Sequence, residues 1–282
     1  MKIKEVTVSA VIPTAQYANI TPAITVEVDD DIEQAKALAM SHIVGISQKY
    51  AEAGKALPSS KATANAKQVE CLVGGSVLYD PVAHIYTNEQ GDVYLSGSKY
   101  ASQFDKPFDI NVIAQKMADK TGVGVGDIID IWKLKGSASA SFGTAVHEAL
   151  EMYGKYKETS EKLAKEYHVS AIPIIKDVVD GFFKGREKET ALYEPMVVDH
   201  DRKWAGQIDR LLITGDKKAI IEDYKTNVDL TPAKVETYWN QLSFYASIMK
   251  AGGWTIEGLR IHHYDGSKWV TKESNVKEIK EK

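Results

Sequence analysis

The chain has 282 residues, 44% of them hydrophobic and 26% charged, with 35 basic and 39 acidic side chains giving a net charge of −4. This suits one good-sized core plus a small module, and it excludes a protein that coats nucleic acid by bulk positive charge, though not an enzyme that gathers its basic residues in one groove. A lone cysteine, Cys71, excludes an internal disulfide and any cysteine-only zinc or iron–sulfur site within one chain. Cys71 is expected to be a buried small apolar residue. No apolar run approaches the roughly 20 residues of a membrane span. MKIKEVTVSAV at the N-terminus lacks the apolar stretch of a secretory signal, so the cytoplasm is the expected compartment, with no membrane partner.

In chain order, residues 3 to 12 alternate around Val6, Val8 and Ala10, and residues 24 to 28 around Ile24, Val26 and Val28, which predicts two half-buried strands. Asp30 with Glu33 resembles a capping box, and Ile32, Ala35, Ala39, Ile43, Ile46 and Tyr50 follow near helical spacing. Residues 1 to 53 thus read as a ββα module. GKALPSSKATANAK, residues 54 to 67, has no apolar period and reads as a linker. VLYDPVAHIYTNEQGDVYLSG predicts a hairpin turning at Asn88 to Asp92, and residues 97 to 135 predict two or three short helices.

SFGTAVHEALEMYGKYKE then opens a long helix with a core stripe of Val146, Ala149, Leu150 and Tyr153, which leaves His147 at the edge of the buried face. Pro173 begins another helix, carrying Ile174, Ile175, Val178, Phe182 and Phe183. Three strands follow in ALYEPMVV, WAGQIDRLLI and AIIEDYKT. Thr231 and Pro232 announce a helix that Gly252 ends, and LRIHHY with WVTKES makes a final hairpin. The order is α+β, with a mixed sheet flanked by helices, over residues 68 to 274. The charged run at 275 to 282 reads as a solvated, fraying end.

A hairpin symmetric about Asp216 sets Leu211 opposite Ile221 and Ile213 opposite Ala219. The same register sets Asp209 opposite Asp223 and Gln207 opposite Lys225, with the two acids' Cβ atoms about 5 Å apart. Two ionised carboxylates at that distance repel by about 3 kcal/mol at an effective dielectric near 20. A divalent cation turns that repulsion into ligation, because Mg²⁺ and Mn²⁺ prefer oxygen ligands. Lys225, two residues beyond Asp223 on the same face, would reach the same spot to orient a water or neutralise charge developing on a phosphate. The residues taken alone also fit an acid–lysine ion pair on a solvated face. In the helix from 232 to 251, Val235, Trp239, Leu242, Ala246 and Met249 form one stripe; Lys234, Tyr238, Gln241 and Tyr245 form another, suited to phosphates and unpaired bases or to filling space under a loop.

Four stretches, GTAVH, GQIDRL, DYK and QLSFY, resemble in order and approximate spacing the motifs of the PD-(D/E)xK nuclease superfamily, specifically its RecB-type exonuclease group. The resemblance covers residues 140 to 250, and YLSGSKYASQF looks like the segment that often begins such domains. It implies a restriction-endonuclease-like core in αβββαβ order and a metal-dependent DNA nuclease acting on ends or single strands through metal-bound water. His147, Asp209 and Asp223 would bind Mg²⁺ or Mn²⁺, with the Tyr224 carbonyl as a further ligand; Lys225 would be the catalytic lysine. Gln241 and Tyr245, with Tyr238 and Lys234 on the same stripe, would position DNA. Glu194 sits where relatives carry an accessory acid, or is a surface glutamate. Some relatives carry an iron–sulfur cluster on four cysteines, which this chain cannot. The resemblance suggests a phage or bacterial recombination or repair setting, in the host cytoplasm if phage-encoded.

Rival expectations are a structure-specific or restriction-like endonuclease on the same core, and a catalytically silent DNA-binding or assembly subunit. An intact His147, Asp209, Asp223 and Lys225 set speaks against the second. The acidic DDDIE turn of the N-terminal module favours contact with a protein, such as a recombination partner, over contact with DNA. His262 and His263 face opposite ways on one strand and read as structural, with at most one facing the core; His42, His84, His168 and His200 have no ligand-like neighbours in sequence.

Overall fold

The computed structural model describes residues 65–105, 109–157 and 173–279, together with the backbone of four strands between residues 5 and 27. The chain forms two compact units, Met1–Val69 with Val77–Tyr94, and Glu70–Ser76 with Leu95–Lys282. In the first, β1 (Glu5–Ser9) pairs antiparallel with β4 (Ala23–Glu27), Val6 opposite Val26 and Val8 opposite Ile24, in keeping with the alternation in sequence. Of the strand expected over 3 to 12, β1 covers Glu5–Ser9, and Ile12 belongs to another strand. Another antiparallel pair, β2 (Ile12–Ala15) with β3 (Ala18–Ile20), lies between β1 and β4 in sequence, and such short segments fall below the length at which alternation is legible. The helix expected from Asp30 to Tyr50, most of the linker, His42 and His168 lie outside the described residues.

Three further strands, β5 (Lys67–Glu70), β6 (Ser76–Asp80) and β7 (Ile85–Thr87), form a sheet in that order. The expected turn at Asn88 to Asp92 forms, with Asp92 N donating to Asn88 Oδ1 at 2.8 Å and Gly91 at φ 85, but it leads only to an isolated Thr87–Val93 bridge. The principal hairpin turns earlier, between β6 and β7. There Asp80 Oδ1 accepts from the amides of Val82 and Ala83 at 2.8 and 2.9 Å, an Asx turn around Pro81. His84 is held in that turn by the Tyr79 hydroxyl, 3.0 Å from its Nδ1.

The second unit carries β8 (Leu95–Ser96), α1 (Gly97–Ser102), α2 (Ile110–Thr121) and α3 (Val125–Tyr156). Asp109 caps α2 by accepting from the amides of Asn111 and Val112, and Gly122 closes it in the left-handed region at φ 72. Helix α3 is far longer than the stretch from Ser141 suggests, because isolated glycines such as Gly136, without a proline, do not stop a helix. Helix α4 (Pro173–Phe183) begins at its proline as expected, although Ile174 points to solvent and Val179 takes its place in the core.

Five strands make the main sheet, in the order β15 (Trp269–Ser274), β14 (Thr255–Tyr264), β13 (Lys218–Lys225), β12 (Arg210–Gly215), β9 (Ala191–Tyr193). β13 runs parallel to β14 and antiparallel to β12, so the sheet is mixed, and α5 (Pro232–Ala251) makes the crossover. Thr231 Oγ1 caps α5 by accepting from Lys234 N. One sheet face, bearing Leu211, Ala219, Ile221, Leu259 and Ile261, packs on Trp239, Leu242 and Met249 of α5. Tyr193 and Tyr224, in the opposite layer, pack with Val146, Leu150, Val178, Val179 and Phe182 of α3 and α4. Because both faces are covered, His262 and His263 are both buried, contrary to expectation, and His263 Nε2 lies 2.7 Å from the Asn227 carbonyl oxygen.

The end of the chain also departs from expectation. Through residue 279 it is docked and not solvated: Val276 and Ile279 pack against the α5 cluster, and Lys277 N donates to Ser243 Oγ at 3.0 Å. Two apolar residues three apart within a charged run were the signal for it.

Candidate active site

The hairpin register places Leu211 opposite Ile221 and Ile213 opposite Ala219, as expected. The strands leading into it differ. ALYEPMVV divides into β9 and β10 (Met196–Asp199), and WAGQIDRLLI into β11 (Trp204–Gln207) and β12, so that β10 and β11 join β8 in a second sheet. Gln207 therefore pairs with Met196 and not with Lys225. The two breaks sit side by side and are stitched together: Glu194 N donates to the Asp209 carbonyl at 3.1 Å, and Ile208 N to the Pro195 carbonyl at 3.1 Å. Pro195 has no amide to donate, and Glu194 takes φ 53, a left-handed conformation that costs a non-glycine residue about 1–3 kcal/mol and characteristically occurs at functional sites.

Each break presents an acid. Glu194 and Asp209 converge with His147 of α3, the three offering ligand atoms within 4.8 Å of one another. His147 Nδ1 lies 3.4 Å from Asp209 Oδ2, which also accepts from Tyr224 N at 2.9 Å and so holds the corner against β13. The Tyr224 ring stands edge-on to the imidazole, with centroids 5.6 Å apart. Asp223 is 2% exposed and pairs with Lys225, whose Nζ lies 2.6 Å from Asp223 Oδ2. The structure thus groups His147 and Asp209 with Glu194, which is no stray surface acid, and gives Asp223 directly to Lys225.

Burial, reinforced by the charge of Asp209, pushes the Glu194 carboxyl up to about 9. Burial also raises Asp223, which the Lys225 ammonium pulls back and Asp209 pushes up again, leaving it at about 6. For Lys225 burial works downward, but Asp223 and Asp209 outweigh it and raise its pKa, so the ammonium stays charged. A corner in which carboxyls are driven toward protonation is short of positive charge. One imidazole with several carboxylate oxygens is also a donor set that suits Mg²⁺ or Mn²⁺, so these residues fit a divalent ion.

The acid shifts have a thermal consequence. Between the ordinary value of 4.5 and about 9, folded metal-free protein keeps a proton on Glu194 that the unfolded chain has lost. Stability therefore falls as pH rises through that window. Asp223 adds a loss of the same sign that ends near 6. Melting in the presence of a chelator should show Tm declining from pH 6 to 9, and Glu194→Gln should flatten the decline. An undiminished slope in that variant would refute the assignment.

On α5, Gln241 Nε2 donates to the Tyr245 hydroxyl at 3.1 Å, and Lys225 Nζ lies 4.6 Å from the Tyr238 ring centroid. Lys234 is exposed at the helix start, Tyr238 and Gln241 are half-buried, and Tyr245 is buried. Tyr245 lies where a Cβ on Gly206 would come within 2.3 Å of its ring and one on Gly97 within 2.5 Å, which explains the glycine of GQIDRL. The glycine of GTAVH is similar: a Cβ on Gly143 would meet Thr226 Oγ1 at 2.9 Å.

A family model of the PD-(D/E)XK nuclease superfamily matches residues 132–275, just over half of the chain. The chain belongs to the PD-(D/E)XK nuclease superfamily. Its mixed sheet flanked by helices is the restriction-endonuclease-like fold of that superfamily, and membership implies a metal-dependent nuclease that hydrolyses phosphodiester bonds. No curated protein matches the chain. Among solved structures, a crystal structure of SSO0001 is similar at 18% identity over 48% of this chain and 68% of that one, with a TM-score of 0.27. Among the described residues of the nuclease, no helix is long and apolar enough to cross a membrane.

The motif reading passes over Arg210 and Glu222, the immediate neighbours of Asp209 and Asp223. Both are buried, at 0% and 1% exposure, on the strand face that alternates with the acids. Their signal is faint but present: charged residues at inward positions of a strand covered on both faces need partners.

Proposed function

We propose that this nuclease is a DNA exonuclease in which His147, Glu194 and Asp209 hold a Mg²⁺ or Mn²⁺ ion, with Asp223 and the Tyr224 carbonyl completing the donor set. The convergence of His147, Glu194 and Asp209 within 4.8 Å is the observation that carries the reading. When bound, such an ion lowers the pKa of a coordinated water and offsets charge on the scissile phosphate. Asp223 holds the Lys225 ammonium at the site. Kept charged by its acids, that ammonium donates to a phosphate oxygen or orients the attacking water. Tyr238 and Gln241 on the half-buried side of α5, with Lys234 at its start, take the DNA strand, while Tyr245 acts from beneath by fixing Gln241. Action on ends or single strands follows from the RecB-type motif order in GTAVH, GQIDRL, DYK and QLSFY. We assign residues 1–53 to contact with a recombination protein, on the acidic DDDIE run in the sequence.

Incubating purified protein and Mn²⁺ with end-labelled linear DNA and closed-circular DNA tests the central reading. Linear DNA is expected to be degraded and circles to survive. Cut circles would replace the exonuclease with an endonuclease on the same core, and two intact substrates would leave a silent binding subunit.

A further inference from the structure

Arg210 is among the largest fully buried side chains of the described residues, and its guanidinium lies on the opposite side of the sheet from Asp223. Its partners come from three places in the chain. Nη1 donates to Glu222 Oε2, Nε to the Tyr193 hydroxyl at 3.3 Å, and Nη2 to Glu189 Oε2 at 2.7 Å. Arg210 directly follows Asp209, Tyr193 directly precedes Glu194, and Glu222 directly precedes Asp223. Glu189 apart, one guanidinium therefore ties together residues that are each a single peptide bond from one of the three site carboxylates.

This tie falls where the regular ladders of the main sheet end. The β12–β13 ladder begins at the Arg210–Glu222 pair, and the β12–β9 ladder begins at Arg210–Tyr193. Beyond Arg210 the chain turns out of the main sheet, so Asp209 and Glu194 lie past the end of both ladders. The network continues outward, with Glu222 Oε1 accepting from Arg260 at 3.2 Å and facing His262 Nε2 at 3.4 Å, while Arg260 reaches Glu273 at 2.8 Å. Buried ion pairs can often be replaced by apolar residues without loss of stability, so stability alone is a weak reason for a buried arginine at this corner. Its planar fork can satisfy several acceptors in fixed directions, which a lysine cannot.

We infer that Arg210 is a positioning residue: by bonding to Glu222 and Tyr193 it sets the spacing of Asp209, Glu194 and Asp223, and through that spacing the affinity of the site for its divalent cation. The inference rests on the metal-site reading proposed above. Calorimetric titration of the full chain with Mn²⁺ tests it, using wild type, Arg210→Lys, the paired Arg210→Met with Glu222→Leu, and Glu273→Gln at the outer end of the network. Both Arg210 variants are expected to keep cooperative melting and wild-type circular dichroism while binding Mn²⁺ at least about tenfold more weakly, as losses of outer supports to metal ligands do. Glu273→Gln is expected to bind as wild type does. Folded Arg210 variants with wild-type affinity would overturn the positioning role and leave the metal site standing. Unfolding of both Arg210 variants would also overturn it, since Arg210 would then serve the fold as a whole. A wild type that takes up no Mn²⁺ would remove the metal-site reading, and this inference with it.

Discussion

Asp223→Ala is expected to abolish cleavage, with a rate loss of at least about 10²- to 10³-fold, the scale seen when one pre-organised electrostatic group is removed from a reaction centre. The substitution removes a carboxylate that is 2% exposed and leaves the Lys225 ammonium, 2.6 Å from it, without its partner. Lys225 then retains Asp209 as an acidic neighbour but loses the contact that fixes its position on β13. DNA affinity should stay within severalfold, because Lys234, Tyr238 and Gln241 lie on α5 and are untouched. Single-turnover digestion of labelled DNA measures the first effect, and fluorescence anisotropy with the same DNA in chelator measures the second. Asp223→Asn, which keeps the shape, guards against a folding defect. Cutting by Asp223→Ala at the wild-type rate would remove Asp223 from the site.

Gly206→Ala acts by volume and not by charge. The added methyl would lie 2.3 Å from a Tyr245 ring carbon, closer than any real contact, and the ring is backed by Gly97 on α1, where a Cβ would come within 2.5 Å. The ring must shift or β11 must part from it. Overpacking of this kind costs about 1–3 kcal/mol. Tyr245 carries the hydroxyl to which Gln241 donates, so the shift also displaces the half-buried Gln241. Cleavage should fall together with Tm. Adding Tyr245→Leu to Gly206→Ala should recover Tm but not cleavage, because the smaller side chain makes room yet offers no hydroxyl. Recovery of both by the double variant would show that Tyr245 matters only as filler.

Different parts of this architecture were legible to different degrees. The β12–β13 register could be read from apolar pairs alone, since a slip by one residue would turn Leu211 and Ile221 away from α5. Helix α5 was legible end to end, because Thr231, Pro232 and Gly252 are local signals that act on their own backbone. The breaks at Glu194–Pro195 and Ile208–Asp209 were not legible. Nothing in ALYEPMVV announces that a glutamate takes φ 53, and that conformation is held by Asp209, fifteen positions away in sequence. The docking of Val276 and Ile279 and the burial of His263 were hidden for the same reason, in that each depends on what covers a surface and not on the residue itself.

The sequence by itself determined the β12–β13 register, helix α5 with its caps and the four motifs, because helix and strand periodicity and turn chemistry operate over a few residues. Only the tertiary structure decided which acids meet. His147 and Asp209 come from a helix and a strand break far apart in the chain, and Glu194 joins them because two broken strands are stitched corner to corner. The distance between side chains on separate elements is set by how those elements pack, and no local pattern encodes it.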